Sequence, residues 1–173
     1  RRAWQLLQRR YARYWVGQQN VEAVAGSLLQ SSVYAVHLSV DCAASLGAEE
    51  SQHLASLREA PFLRTLSLDL WGRRSSTAGY HRRIEDAGAQ ALARLKEAPS
   101  LHTLCLDLAD NKIECAGVQA LASLKDAPLL HTLHLDLSCN TIEDAGARAL
   151  ASMKQAPLLH TLYLDVSNPF LSR

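Results

Sequence analysis

The clearest signal along the chain is a hydrophobic pattern that switches period and then switches back. In Leu133-His134-Leu135-Asp136-Leu137 apolar residues alternate with others, which predicts a strand with one buried face. In residues 146–154 (GARALASMK) apolar residues recur at three- and four-residue spacing. Most of these residues are strong helix formers, so this half predicts an amphipathic helix. A proline follows each such helix, at Pro61, Pro99, Pro128 and Pro157. Proline has no amide hydrogen to donate, so it marks the stop.

The two halves recur as a unit. Residues 101–129 and 130–158 match at 20 of 29 positions without a gap. A further copy begins at Leu159 (LHTLYLDV), and an earlier one at Leu63 (LRTLSLDL). The earlier copy resumes at Ile84 after nine extra residues, and a weaker copy starts at Val33 (VYAVHLSV). The period is 29 or 30 residues, and 38 where the insertion sits. Strand–helix–strand units with short connections give parallel strands and right-handed crossovers. No single unit buries its apolar face alone, so the units must stack. Helices are wider than the spacing of strands, which bends the stack with its strands inside. The predicted fold class is therefore α/β: a short right-handed β-α solenoid, or horseshoe. About five parallel strands line its concave face and helices line its convex face.

The consensus LxLxLxxNxIxxxGxxALAxLKxAP resembles the leucine-rich repeat, in its long ribonuclease-inhibitor-like subclass. The resemblance spans residues 33–166. It implies that Asn111 and Asn140 hydrogen-bond neighbouring loop backbone. Arg82 and Ala43 stand at that position in two other copies, so the asparagine ladder is incomplete. The resemblance also implies a binding module that takes proteins on its concave face or rims.

Alternation sorts the strand residues by face. With Leu133, Leu135 and Leu137 inward, Thr132, His134 and Asp136 point out. Stacking in register then makes rows. One is Ala35, Thr65, Thr103, Thr132, Thr161, and the next is His37, Ser67, Cys105, His134, Tyr163. The third is Ser39, Asp69, Asp107, Asp136, Asp165. Carboxylates about 5 Å apart repel by roughly 0.8 kcal/mol per neighbouring pair in water, and more where solvent is excluded. Such a row attracts cations, either a metal or Lys and Arg of a partner. Two readings of it stand: a solvated part of a duplicated cassette, or a strip that docks a basic segment. His134 and Tyr163 belong to the same candidate surface. Arg64, His102, His131 and His160 form another row at the strand entrances. A line of like residues offers no closed tetrahedral set, so no metal or other cofactor is expected.

Two basic regions lie outside the cassette. Residues 1–20 hold Arg1, Arg2, Arg9, Arg10 and Arg13 and no acid. Trp4, Leu7, Tyr11 and Tyr14 or Trp15 fall at helical spacing, which predicts a basic amphipathic helix. It would cap the first repeat, or present Trp4, Arg9, Arg10 and Trp15 to a partner or a membrane interface. Residues 21–32 read as the helix of a degenerate first repeat. The insertion at 71–83 holds Trp71, Arg73, Arg74, Tyr80, Arg82 and Arg83, with Gly and Ser between them. It reads as a surface loop, or as a docking loop anchored by its aromatics. The organisation is thus a helix at 1–20, a repeat array at 21–166 and a tail at 167–173. After the last strand an apolar repeat edge stays open, which a partner subunit would cover.

Composition sharpens this picture. The 173 residues carry 18 Lys+Arg against 17 Asp+Glu, a net charge of +1. The near-zero value is a cancellation. Five arginines sit in residues 1–20 and four in the insertion, which leaves the array with a net charge of −8. An acidic array is a poor surface for nucleic acid. Cys42, Cys105, Cys115 and Cys139 form no CxxC pair and read as reduced thiols. The first twenty residues have no apolar h-region, so a non-secreted protein of the cytoplasm or an organelle is expected. The start at Arg1-Arg2 suggests a processed product or a fragment. No phosphate loop, GxSxG elbow or HExxH motif is present, and no third group orients a Cys105–His134 pair. The expected function is a non-catalytic interaction scaffold. The alternative is an accessory structural subunit of a larger, organellar or membrane-associated assembly.

Overall fold

The computed structural model describes residues 11–40, 46–72 and 83–168. Its six strands are β1 (Tyr11–Val16), β2 (Ala35–Val40), β3 (Thr65–Asp69), β4 (Thr103–Asp107), β5 (Thr132–Asp136) and β6 (Thr161–Asp165). Between them lie α1 (Val21–Leu29), α2 (Ala48–Ala55), α3 (Glu85–Ala93), α4 (Cys115–Ala122) and α5 (Asp144–Ala151). The strands form one sheet in chain order, every pair parallel. Consecutive helices pack side by side on the other layer. This is the strand–helix solenoid that the pattern predicts.

The core is the seam between the two layers. Leu66, Leu104 and Leu133 stand in register and are all fully buried. Leu54, Leu92, Leu121 and Leu150 meet them from the helices. Each helix from α2 onward tightens into a 3-10 turn: Ser56–Glu59, Arg94–Glu97, Ser123–Asp126 and Ser152–Gln155. The chain then straightens at Ala60, Ala98, Ala127 and Ala156, with ψ of 114°, 117°, 131° and 121°. Each of these alanines precedes a proline, whose ring bars the helical region to the residue before it. The Ala-Pro pair therefore sets a uniform return to the sheet.

Two expectations need correction. The sheet has six strands rather than about five. The extra one is β1, which lies inside the stretch predicted as an amphipathic helix. Tyr11–Val16 pairs with Ala35–Val40 in parallel register. Its backbone satisfies the edge of β2, which a capping helix would leave unpaired. Trp15 is thus a strand residue. Trp4, Arg9 and Arg10 lie outside the described residues, as do Arg73, Arg74, Tyr80 and Arg82 of the insertion. Val21–Leu29 is helical as expected, so β1 and α1 together form a short first repeat.

Candidate functional site on the open sheet face

The rows on the open sheet face assemble as the alternation requires. Asp69, Asp107, Asp136 and Asp165 are register partners on successive strands. His37, Ser67, Cys105, His134 and Tyr163 form the neighbouring row. β1 extends both rows by one strand, setting Trp15 beside Ser39 and Arg13 beside His37. The acidic row therefore begins at an aromatic residue that is 57% exposed. Tyr163, 54% exposed, stands at the other end, its ring stacked on that of His134 with 5.7 Å between centroids. Trp71 follows Asp69 by two residues and is also exposed. Arg13 lies over the Trp15 ring at 5.9 Å. The face is a line of carboxylates framed by three aromatic side chains.

The aspartates also have a local role. Oδ1 of Asp107, Asp136 and Asp165 accepts the backbone N–H two residues on, from Ala109, Ser138 and Ser167 at 3.2, 2.8 and 2.8 Å. Each carboxylate closes a turn that ends its strand. Aspartate suits this place because its short side chain reaches that N–H without strain. The backbone and side chain of Ser167 both donate to Asp165 and hold its carboxyl below the usual range. Burial pushes the Cys105 thiol up, which keeps it protonated and a poor nucleophile.

The imidazole of His37 is fixed between two strands. Nδ1 lies 2.8 Å from Ser67 Oγ, and Nε2 lies 2.9 Å from Ser39 Oγ. Both ring nitrogens are occupied, and Ser39 is 1% exposed, so the group is a cross-strand strut. Sequence reading missed it, because Ser67 comes from the next repeat.

At the strand entrances, the predicted histidine row forms a stack. His102 and His131 have ring centroids 5.4 Å apart, and His131 and His160 5.3 Å apart. Among the described residues, no group of three or more His, Cys, Asp or Glu side chains is placed to hold a metal. Cys105, Cys115 and Cys139 are free thiols.

The insertion leaves and rejoins the sheet through a pinned base. Arg83 Nη1 donates to Asp110 Oδ1 at 2.7 Å and to the Gly72 carbonyl at 3.3 Å. Its side chain is only 10% exposed, so Arg83 clamps the loop base from within. Gly72 permits this closure, because a Cβ there would sit 2.0 Å from the Asp110 carbonyl oxygen.

The asparagine positions behave as the resemblance implies. Asn111 and Asn140 are buried. The Nδ2 of each donates to strand-end carbonyls, Leu70 for Asn111 and Leu108 and Leu137 for Asn140. Arg82 and Ala43, at that position in other copies, lie outside the described residues. The residues just before the two asparagines, Asp110 and Cys139, have φ of 52° and 57°. Few side chains accept that left-handed backbone. Here the ladder hydrogen bonds of the next residue over-determine it.

A parallel sheet in chain order, one helix behind each step and a ladder of buried asparagines define the class, a strand–helix repeat solenoid. The sequence model of the Leucine Rich repeat family matches residues 102–122 and 130–151. Those two stretches are leucine-rich repeats, and the strand–helix units around them continue the same architecture. Comparison with curated proteins gave no match. Leucine-rich repeats generally mediate protein–protein interaction and typically do so without catalysis.

Proposed function

We propose that the protein is a non-catalytic scaffold that captures a basic segment of a partner protein on its open sheet face. The observation that carries this reading is the in-register row Asp69, Asp107, Asp136 and Asp165, with Trp15, Trp71 and Tyr163 exposed around it. Each turn-closing aspartate accepts a backbone N–H and still brings a negative charge to the open face. Carboxylates with flanking aromatics suit Lys and Arg, which pair with the former and lie over the latter. The 29-residue cassette with its extended strand supports placement in the long, ribonuclease-inhibitor-like subclass. A photo-crosslinking residue in place of Tyr163 should trap the partner. The same group at Arg148, exposed on α5, should not. Equal trapping at both places would count against the reading.

A second reading, a fixed subunit of a larger assembly, draws on the face of β6. Leu162 is 37% exposed where its register partner Leu133 is fully buried. A neighbouring subunit, or a following repeat of a longer chain, would bury Leu162 and Val166. The two readings use different surfaces and are compatible.

A further inference from the structure

The rim where the chain turns from helix to strand carries a second surface. The Ala-Pro turns share one conformation, and the strands after them start in register. The turn tips therefore stand level. Phe62, Leu129 and Leu158 occupy one place in three of these turns and are 48%, 38% and 40% exposed. Tyr34, 36% exposed, packs beside Phe62 at 6.2 Å between ring centroids. Pro61, Pro99, Pro128 and Pro157 are exposed next to them.

Two residues further along each turn runs a parallel row of basic type: Arg64, His102, His131 and His160. Backbone hydrogen bonds of 2.8–2.9 Å link each member to the next. Arg64 lies over the Tyr34 ring at 5.9 Å. Nδ1 of His102 and of His131 donates to the carbonyls of Ser100 and Leu129 at 2.7 and 2.6 Å. The 3-10 turns behind bring Lys96, Lys125 and Lys154 with Glu59, Glu97 and Asp126. Arg58 pairs with both glutamates, at 2.8 and 3.1 Å, so cations dominate this edge.

We infer that this rim docks on an anionic lipid surface, with Phe62, Leu129 and Leu158 entering the headgroup layer and Arg64 and the histidine row facing its phosphates and carboxylates. The match is of shape and charge together. The tips follow one another in a single row along the rim, an arrangement that suits contact with an extended layer. Apolar and aromatic tips beside cations are the composition that interfacial binding uses. Single-stranded nucleic acid fits less well. The histidine faces are taken up by one another, and leucines offer no plane for a base to stack on.

Flotation of the full chain with large vesicles tests this. Vesicles of phosphatidylcholine with about 30% phosphatidylserine should bind it, and the binding should weaken as salt rises. Vesicles of phosphatidylcholine alone should bind it weakly. Phe62→Ser should lower partitioning roughly tenfold, and Arg64→Glu should lower it while leaving the circular dichroism spectrum unchanged. Both substituted residues, Phe62 and Arg64, are exposed, so folding is preserved. No binding to the anionic vesicles overturns the proposal. Undiminished binding of both variants overturns it as well, by placing the contact elsewhere on the chain. Binding to single-stranded RNA or to polyglutamate but not to vesicles would likewise overturn it.

Discussion

Asn140 Oδ1 accepts the backbone N–H of Asn111 at 3.0 Å, and the same oxygen accepts that of Ile113 at 2.9 Å. One buried side chain thus serves the loop of the preceding repeat, while its Nδ2 donates back to Leu108, Leu137 and Ser138. Asn140→Ala would leave several buried backbone groups unpaired. We expect a loss of about 2–4 kcal/mol in urea unfolding. A loss under about 0.5 kcal/mol would mean that water replaces the ladder without cost.

Leu133 and Leu162 occupy the same cassette position on adjacent strands, yet one is fully buried and the other 37% exposed. Leu133→Ala should cost about 2–5 kcal/mol by emptying a packed site. Leu162→Ala should cost roughly 1 kcal/mol or less in the isolated chain, since less apolar area is withdrawn from water there. Equal costs in chemical denaturation would contradict the packing described.

Adjacent helices approach closely at their glycines. A Cβ on Gly117 would sit 2.5 Å from Asp86 Oδ1, 2.7 Å from Ile113 Cγ2 and 3.0 Å from Ala89 Cβ. Asp86 Oδ1 also accepts the N–H of Glu114 at 2.7 Å, at the start of α4. Gly117→Ala should therefore destabilise by about 1–3 kcal/mol. At Gly146 the nearest atom is 3.2 Å away, and the gain in helix propensity offsets the milder crowding. Thermal melts should rank Gly146→Ala well above Gly117→Ala.

Asp165 gives a pH signature. Its folded carboxyl is held below the ordinary value by Ser167. The stability it contributes is thus present above the unfolded carboxylate value of about 3.9 and is lost as pH falls through the folded value. An NMR titration should place its midpoint below that of a free aspartate. Asp165→Asn, which keeps the acceptor oxygen, should remove this contribution to acid sensitivity. A midpoint at or above the free value would show that the turn does not hold in solution.

Most of the array was legible because its register follows from its period. Once residues 101–129 align on 130–158, every outward row is determined, and the Asp and His rows fall into place. β1 was not legible, for a physical reason. Its core-facing positions are Ala12, Tyr14 and Val16 rather than leucines, and its aromatics also fit a helical spacing. Pairing with β2, a tertiary effect, decides between the two periods. The turn-closing role of the aspartates was readable in Asp136-x-Ser138 and Asp165-x-Ser167, where an acceptor precedes an N–H by two residues. The His37 strut and the Arg83 clamp were not. Both depend on where side chains from separate repeats end up, and the clamp joins the base of a loop that has no counterpart in the other repeats.

The central claim is that the carboxylate row takes a cationic segment. Asp107→Asn with Asp136→Asn tests it most directly, because asparagine keeps the Oδ1 acceptor for Ala109 and Ser138 while removing both charges. Titration calorimetry with a lysine- and arginine-rich peptide at low salt should show saturable binding to the unaltered chain. That binding should weaken as salt rises. In the double variant the affinity should fall by roughly tenfold or more, and the salt dependence should flatten. Equal affinity and an equal salt slope in the two proteins would contradict the account.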